Sequence, residues 1–270
     1  MKQQAASTDH LIVKFWGVIA VIVGVKLYYL FNSPLNLFFD EAQYWYWAQS
    51  FDFGYYSKPP MVAWLIGLTT SVCGDTESCI RLSSPLLHLG TTIVIYMLAV
   101  KLYGVRVACY SALVYITLPA VTISSFIIST DPALMFFWAL SLLLFVHALE
   151  SNKTHYWLLA GVAAGLGMLS KYNMLLFLLS TLLFLWVNGA NRDILRSPKL
   201  WGAIAVAIVI FLPNIYWNFA NGFVSFLHTK DNANLSTSLI HPLEMLEFVG
   251  AQFGVFGPIL FAVFLLMLSK

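Results

Sequence analysis

The chain predicts an all-α integral membrane protein: a bundle of about eight transmembrane helices with interfacial helices in its first outer loop. Three observations carry this. Of its residues, 60% are hydrophobic and only 10% charged, with mean hydropathy +0.81, whereas a soluble domain is about a quarter charged. Apolar runs near 20 residues long, the length that crosses the hydrocarbon, recur along the chain. The few charges gather between those runs. A net charge of +2 and the lack of a basic run exclude nucleic acid as a partner.

The N-terminus, MKQQAASTDH, leads into an apolar run at 11–31 with no clear A-x-A cleavage site, which predicts a retained first span and not a removed signal peptide. A first long outer segment follows at 32–81. Inside it, 61–72 is apolar but too short to cross, opened by Pro59-Pro60 and closed near Gly74; it predicts a helix lying in the interface. Further spans are expected at 82–102, 105–127, 132–149 and 155–169. The last carries Gly161, Gly165 and Gly167, small residues that let a neighbouring helix approach closely. Spans at 174–187 and 200–217, a second long outer segment at 218–247 and a final span at 248–268 complete the order. No internal repeat, low-complexity segment or flexible linker divides residues 1–270, so one membrane module is expected.

Charge sets the expected orientation. With the N-terminus in the cytoplasm, Lys2, Lys101, Arg106, Lys153, Arg192, Arg196, Lys199 and Lys270 fall inside, and Lys58, Arg81, Lys171 and Lys230 outside, as the positive-inside rule requires. Lys14 and Lys26, near the two ends of the first span, are expected to snorkel to their own interfaces. The acids sort the other way. Asp40, Glu41, Asp52, Asp75, Glu77, Asp131, Asp231, Glu244 and Glu247 lie outside; only Asp9, Glu150 and Asp193 lie inside. One face of the membrane holds the polar chemistry, and long loops on that face are where function concentrates.

The stretch from Phe38 to Leu65 mixes Asp40, Glu41, Asp52 and Lys58 with Tyr44, Trp45, Tyr46, Trp47, Tyr55 and Tyr56. A polar pocket at the membrane–water boundary, roofed by amphipathic aromatics, accommodates both kinds of residue. Asp40-Glu41 reads either as acids favouring a helix N-terminus or as a carboxylate held in a partly dry pocket as general base or metal ligand. Lys58 is a snorkelling lysine, or a cation presented rigidly by Pro59-Pro60 to an anionic group such as a lipid phosphate. Asp131-Pro132 is an ordinary helix start, or a carboxylate at the depth of Asp40. Lys171 is a lysine at a helix C-terminus, or a second cation of the same site. His228 and His241 have no partner at metal-ligand spacing. Cys73 and Cys79, both outside, are either paired or two free thiols; no zinc or CxxC pattern exists. No Walker, GxGxxG or GxSxG motif occurs, so an activated donor is expected to arrive already attached to lipid.

FFDEAQYWYWAQSFDFGYYSKPPMVAWLIG, then Glu77 to Leu82, Thr130-Asp131-Pro132, GLGMLSKYN around Lys171 and WNFANGFVSFLH follow one another across most of the chain. In that order they resemble the polytopic GT-C glycosyltransferases, in the bacterial branch related to protein O-mannosyltransferases and to the aminoarabinose and galacturonic acid transferases of lipid A. The resemblance implies a GT-C type bundle in the bacterial inner membrane with a periplasmic active site. It implies a polyprenyl-phosphate-linked sugar donor and a lipid A, glycan or protein acceptor, among membrane lipids. It implies Asp40, Glu41 and Asp131 as catalytic residues, and Lys58, Lys171, Tyr55, Tyr56 and Arg81 as substrate-binding ones. In the aminoarabinose branch an acid precedes the first of these lysines and takes part in metal binding; here Ser57 stands there, although His228 sits about where that branch places its histidine ligand. A divalent metal is therefore an open alternative to having no cofactor. Family members usually have more spans and a C-terminal outer domain, so the chain resembles a family fold with its C-terminal part missing.

The residues point first to sugar transfer by inverting displacement, with Asp40 deprotonating the acceptor and the lysines stabilising the departing phosphate. A transporter or flippase of an anionic lipid or solute is the alternative from another class; it wants charges at mid-membrane, whereas these cluster at one interface. An inactive truncated glycosyltransferase paralogue is the third reading.

Overall fold

A computed structural model describes residues 2–232 and 242–268. His241 and the stretch of the second outer segment around it lie outside the described residues. Helices make up the fold, and no strand forms among the described residues. In order they are α1 (Lys2–Phe31), α2 (Phe39–Ala48), α3 (Met61–Cys73), α4 (Glu77–Arg81), α5 (Ser83–Tyr103), α6 (Val105–Thr117) and α7 (Pro119–Ser124). Then come α8 (Asp131–Ser151), α9 (Thr154–Ser170), α10 (Leu175–Val187), α11 (Pro198–Ala220), α12 (Val224–Asn232), α13 (Pro242–Phe256) and α14 (Pro258–Leu268). Short 3₁₀ turns flank α10 at Tyr172–Met174 and Gly189–Arg196.

Helix α9 is the centre of the packing, held between α8 and α11, while α5 packs on α6 and α8. The small residues of α9 allow this. A Cβ on Gly161 would lie 2.2 Å from the carbonyl oxygen of Ala203 on α11, so the two backbones touch as glycine alone permits. Aromatic and aliphatic side chains close the inner half: Phe145, Ala148, Trp157, Leu185, Leu200 and Ala203 form one buried cluster.

The apolar runs of the sequence are helical, but among the described residues fewer than the expected eight are long enough in one piece to cross. Four helices there are long and apolar enough: His10–Phe31, Glu77–Tyr103, Asp131–Ser151 and Pro198–Ala220. The count reaches six if each of two bent pairs is one span. Hydropathy reads runs and not breaks. The run 105–127 is split where Leu118 turns extended (φ −51°, ψ 137°) before Pro119, which has no N–H to continue the ladder. The run at 248–268 is bent by 117° between α13 and α14, and α10 turns through 118° into its following 3₁₀ segment. α3, at 13 residues, spans about 20 Å and is too short to cross, as its sequence predicts.

Lys26 departs from the expectation. It does not snorkel: it is 6% exposed, and its Nζ donates to the Ile116 carbonyl at 2.9 Å and to Ser125 Oγ at 3.1 Å. Cys73 and Cys79 are joined in a disulfide that ties the end of α3 to α4.

Candidate active site

Helix α2 opens with one half of a capping box, the reach of an N3 glutamate back to the N-cap N–H. Phe38 is the N-cap of α2, and Glu41 at the third helical position accepts from the Phe38 N–H at 2.9 Å. The same carboxylate does much more. Its Oε1 accepts from Arg81 Nε (2.8 Å) and from the Ile128 N–H (2.9 Å), and its Oε2 from Arg81 Nη2 (2.7 Å). Arg81 donates also from Nη1 to the Leu35 carbonyl and from Nη2 to the Asn36 carbonyl. Glu41 is 0% and Arg81 2% exposed. The bidentate pair satisfies its charges internally and leaves no face for a ligand. The sequence expectation has Glu41 as a catalytic acid and Arg81 as a substrate-binding cation; here both side chains are buried and turned onto protein partners. They clamp the entrance of α2, the end of α4 and the turn before α8 together.

Asp40, next to Glu41, points the other way and is exposed. Tyr44, one turn later, is buried. Its phenol is pushed up to about 12, first by burial, then by the nearby charges of Asp40 and Asp131. Both carboxylates thus bear on one buried phenol, although Asp131 comes from the start of α8. Beneath them Tyr44, Trp47, Tyr55, Ile66, Ile80 and Ile128 share one apolar cluster.

Asp131 opens α8 with Pro132 behind it. Its Oδ1 accepts from Lys171 Nζ at 2.6 Å, with side-chain exposures of 52% and 31%. Lys171 is where α9 ends: its backbone is extended (φ −160°, ψ 136°) and its N–H caps the Gly167 carbonyl at 3.0 Å. One ammonium hydrogen is used; two are free to meet another acceptor.

Lys58 lies in a rigid turn. The Tyr55 N–H donates to the Lys58 carbonyl at 3.1 Å, and Pro59 and Pro60 are buried behind it. The turn is docked on α11 and α12. Asn214 Nδ2 donates to the Phe53 carbonyl at 2.7 Å, and Ser225 Oγ donates to the Tyr55 carbonyl. Gly54 lies flat on Trp217, where a Cβ would come within 2.4 Å of the indole. The Lys58 side chain is partly buried and, among the described residues, paired with no carboxylate.

Tyr55 and Tyr56 separate. Tyr55 stacks on Trp47 at 5.0 Å and donates its hydroxyl to the Ser50 carbonyl at 2.7 Å; burial raises its phenol above the usual range, with the Asp52 N–H lowering and the Asp52 charge raising it in turn. Tyr56 is 56% exposed and faces His228 edge-on at 5.3 Å, so the two outer segments meet there. Among the described residues no group of three or more His, Cys, Asp or Glu comes together to hold a metal ion.

Sequence reasoning missed Tyr172, Asn214, Asn218 and Ser225. Tyr172 Oη lies 3.3 Å from Asn214 Oδ1 and accepts from Asn218 Nδ2 at 3.4 Å. Asn214 and Asn218 are fully buried one turn apart on α11. Two asparagines at i, i+4 late in an apolar run were the available signal.

Residues 57–217 match the family described as dolichyl-phosphate-mannose-protein mannosyltransferase. The chain is 39% identical over 227 residues to the lipid A galacturonosyltransferase RgtD of Rhizobium johnstonii, covering 84% of this chain and 48% of that protein. It is 27% identical over 220 residues to an undecaprenyl phosphate-alpha-4-amino-4-deoxy-L-arabinose arabinosyl transferase of Pseudomonas fluorescens, covering 73% and 40%. Among solved structures it resembles ArnT from Cupriavidus metallidurans in the apo state, with TM-score 0.63 and 20% identity over 82% of this chain and 45% of that one. The archaeal oligosaccharyltransferase AglB from Archaeoglobus fulgidus gives TM-score 0.52 at 14% identity over 95% and 37%. Both show a shared fold. The chain spans about half the length of the curated relatives it matches.

Proposed function

The chain belongs to the dolichyl-phosphate-mannose-protein mannosyltransferase family, and from that premise we propose that it carries the catalytic half of a membrane glycosyltransferase. The donor is a sugar on a polyprenyl phosphate. The acceptor is a hydroxyl of lipid A, of another glycan or of a protein. The observation that carries the reading is the half-exposed Asp131–Lys171 pair, at the end of a turn whose Ile128 is tied to α2 through Glu41, the residue beside the exposed Asp40.

In the proposed step Asp40 takes the proton of the acceptor hydroxyl. The acceptor oxygen forms a bond to the anomeric carbon, and the bond from that carbon to the phosphate oxygen breaks. The electron pair leaves with the lipid phosphate, whose charge Lys58 and the free donors of Lys171 stabilise. Asp131 orients Lys171. Glu41 and Arg81 hold the three segments in register and touch no substrate. Uronic acid is the first sugar to try, since RgtD is named as a galacturonosyltransferase.

The membrane is proposed to be the bacterial inner membrane, with this site on its outer side. The lysine and arginine bias supports that orientation, and so does the Cys73–Cys79 disulfide, because disulfides persist in oxidising compartments. The test is transfer from purified polyprenyl-phosphate galacturonic acid and, separately, aminoarabinose, to lipid A by the purified, folded chain. Transfer from either donor is the expected result. No transfer from either, beside an active longer relative, would replace this reading with that of an inactive paralogue.

A further inference from the structure

The break between α6 and α7 sits in an apolar part of the chain, where an unpaired backbone group costs several kcal/mol. One buried side chain pairs a backbone group there, and a second bridges the break through side chains. Lys26, from α1, donates to the Ile116 carbonyl, which the break and Pro119 deprive of a helical partner, and to Ser125 Oγ. Ser125 hands the bond on to the Val121 carbonyl at 2.7 Å. His88, from α5, shares hydrogen bonds with Tyr115 Oη at 2.9 Å and with Ser124 Oγ at 3.0 Å. His88 and Ser125 are fully buried.

Neither residue has a place in the chemistry proposed above, yet both act on the segment that leads to it. After Ser124 and Ser125 the chain passes Ile127, whose carbonyl accepts from Ser84 Oγ at 2.8 Å, and Ile128, whose N–H is held by Glu41. Three residues later comes Asp131. So α1, α5 and α2 each fix a different residue of one short turn, and the buried lysine and histidine hold its start.

We propose that Lys26 and His88 are positioning residues: from within the bundle they set the place of the turn that carries Asp131. The role rests on the functional reading only for its catalytic consequence. A Lys26→Met change keeps the side chain's length and removes its donors. The turn then loses its inner anchor, while Glu41 still holds its outer part.

The test uses a thiol at Ser129→Cys in the purified chain in detergent, so that membrane sidedness does not enter. Cys73 and Cys79 are bonded to each other and Cys109 is buried, so the new thiol dominates maleimide labelling. Lys26→Met and His88→Leu should each raise its labelling rate by about tenfold, the signature of easier local opening. A control thiol at Ser151→Cys, at the far end of α8, should stay unchanged, and Lys26→Arg should restore the parent rate at Ser129→Cys. In sugar transfer the same changes should lower kcat and leave the donor KM alone. An unchanged Ser129→Cys rate in folded Lys26→Met overturns the proposal. So does an equal rise at both thiols, which makes the network a support of the whole fold. If Lys26→Met does not insert, Ser125→Ala decides by the same comparison. A parent chain that transfers no sugar would sink the functional reading, and the labelling would still decide this one.

Discussion

Two ion pairs stand close together at the outer end of the bundle, and they are built in opposite ways. Glu41–Arg81 is dry, with side-chain exposures of 1% and 3%, and the carboxylate accepts four hydrogen bonds from three segments. Asp131–Lys171 is wet, at 52% and 31% exposure, and rests on one contact. In the first, the carboxylate has filled its four acceptor positions with protein donors. The second has most of its capacity left. The same chemical types thus divide into a sealed fastener and an open pair, and the division runs between neighbours: Glu41 is sealed and Asp40 beside it is open.

The comparison breaks most visibly if the dry pair is cut. Glu41→Ala leaves Arg81 charged and buried, a loss of roughly 3–5 kcal/mol. Folded yield and thermal midpoint in detergent should both fall sharply, and transfer should vanish with them. A folded, well-behaved Glu41→Ala with only its turnover lost would return Glu41 to the chemistry and end the contrast.

Asp40→Asn sharpens it. An amide is nearly isosteric but cannot take the acceptor's proton, so turnover should drop by about 10²–10⁴ with the thermal midpoint unchanged. Near-normal turnover would move the base to Asp131.

Lys58→Ala is expected to weaken use of the donor, since one charge-assisted contact to phosphate contributes roughly 1.5–3 kcal/mol. The measurement is turnover against donor concentration. A pure fall in kcat with no change in donor KM would remove Lys58 from phosphate binding.

The smallest effect is the most diagnostic. Asp131→Asn cuts the wet pair, and an exposed pair adds only about 0–1 kcal/mol to stability. Its thermal midpoint should therefore barely move while transfer falls. A loss as large as that of Glu41→Ala would show that Asp131–Lys171 is a second fastener.

The charged residues of the candidate site are legible in the sequence alone. The acids at Asp40 and Asp131 and the lysines at Lys58 and Lys171 stand out because charge is rare in so apolar a chain, and each occurs beside a helix end or a proline turn. Which acid of Asp40-Glu41 is free was not legible. Their chain positions are equivalent, and only the partner Arg81, 40 residues away, separates them. Lys26 shows the same limit: near the end of an apolar run a lysine reads as a snorkelling side chain, and its true acceptor, the Ile116 carbonyl, is 90 residues distant.

The sequence by itself determined the helical membrane class, the shortness of α3 and the close approach along Gly161. These follow from composition, run length and residue size, which are local properties. The tertiary structure alone decided where the apolar runs break and bend, which charges are spent on holding the backbone and which are left for chemistry. Those depend on whether a polar group finds a partner from a distant segment, and burial in a low-dielectric interior makes that pairing decisive.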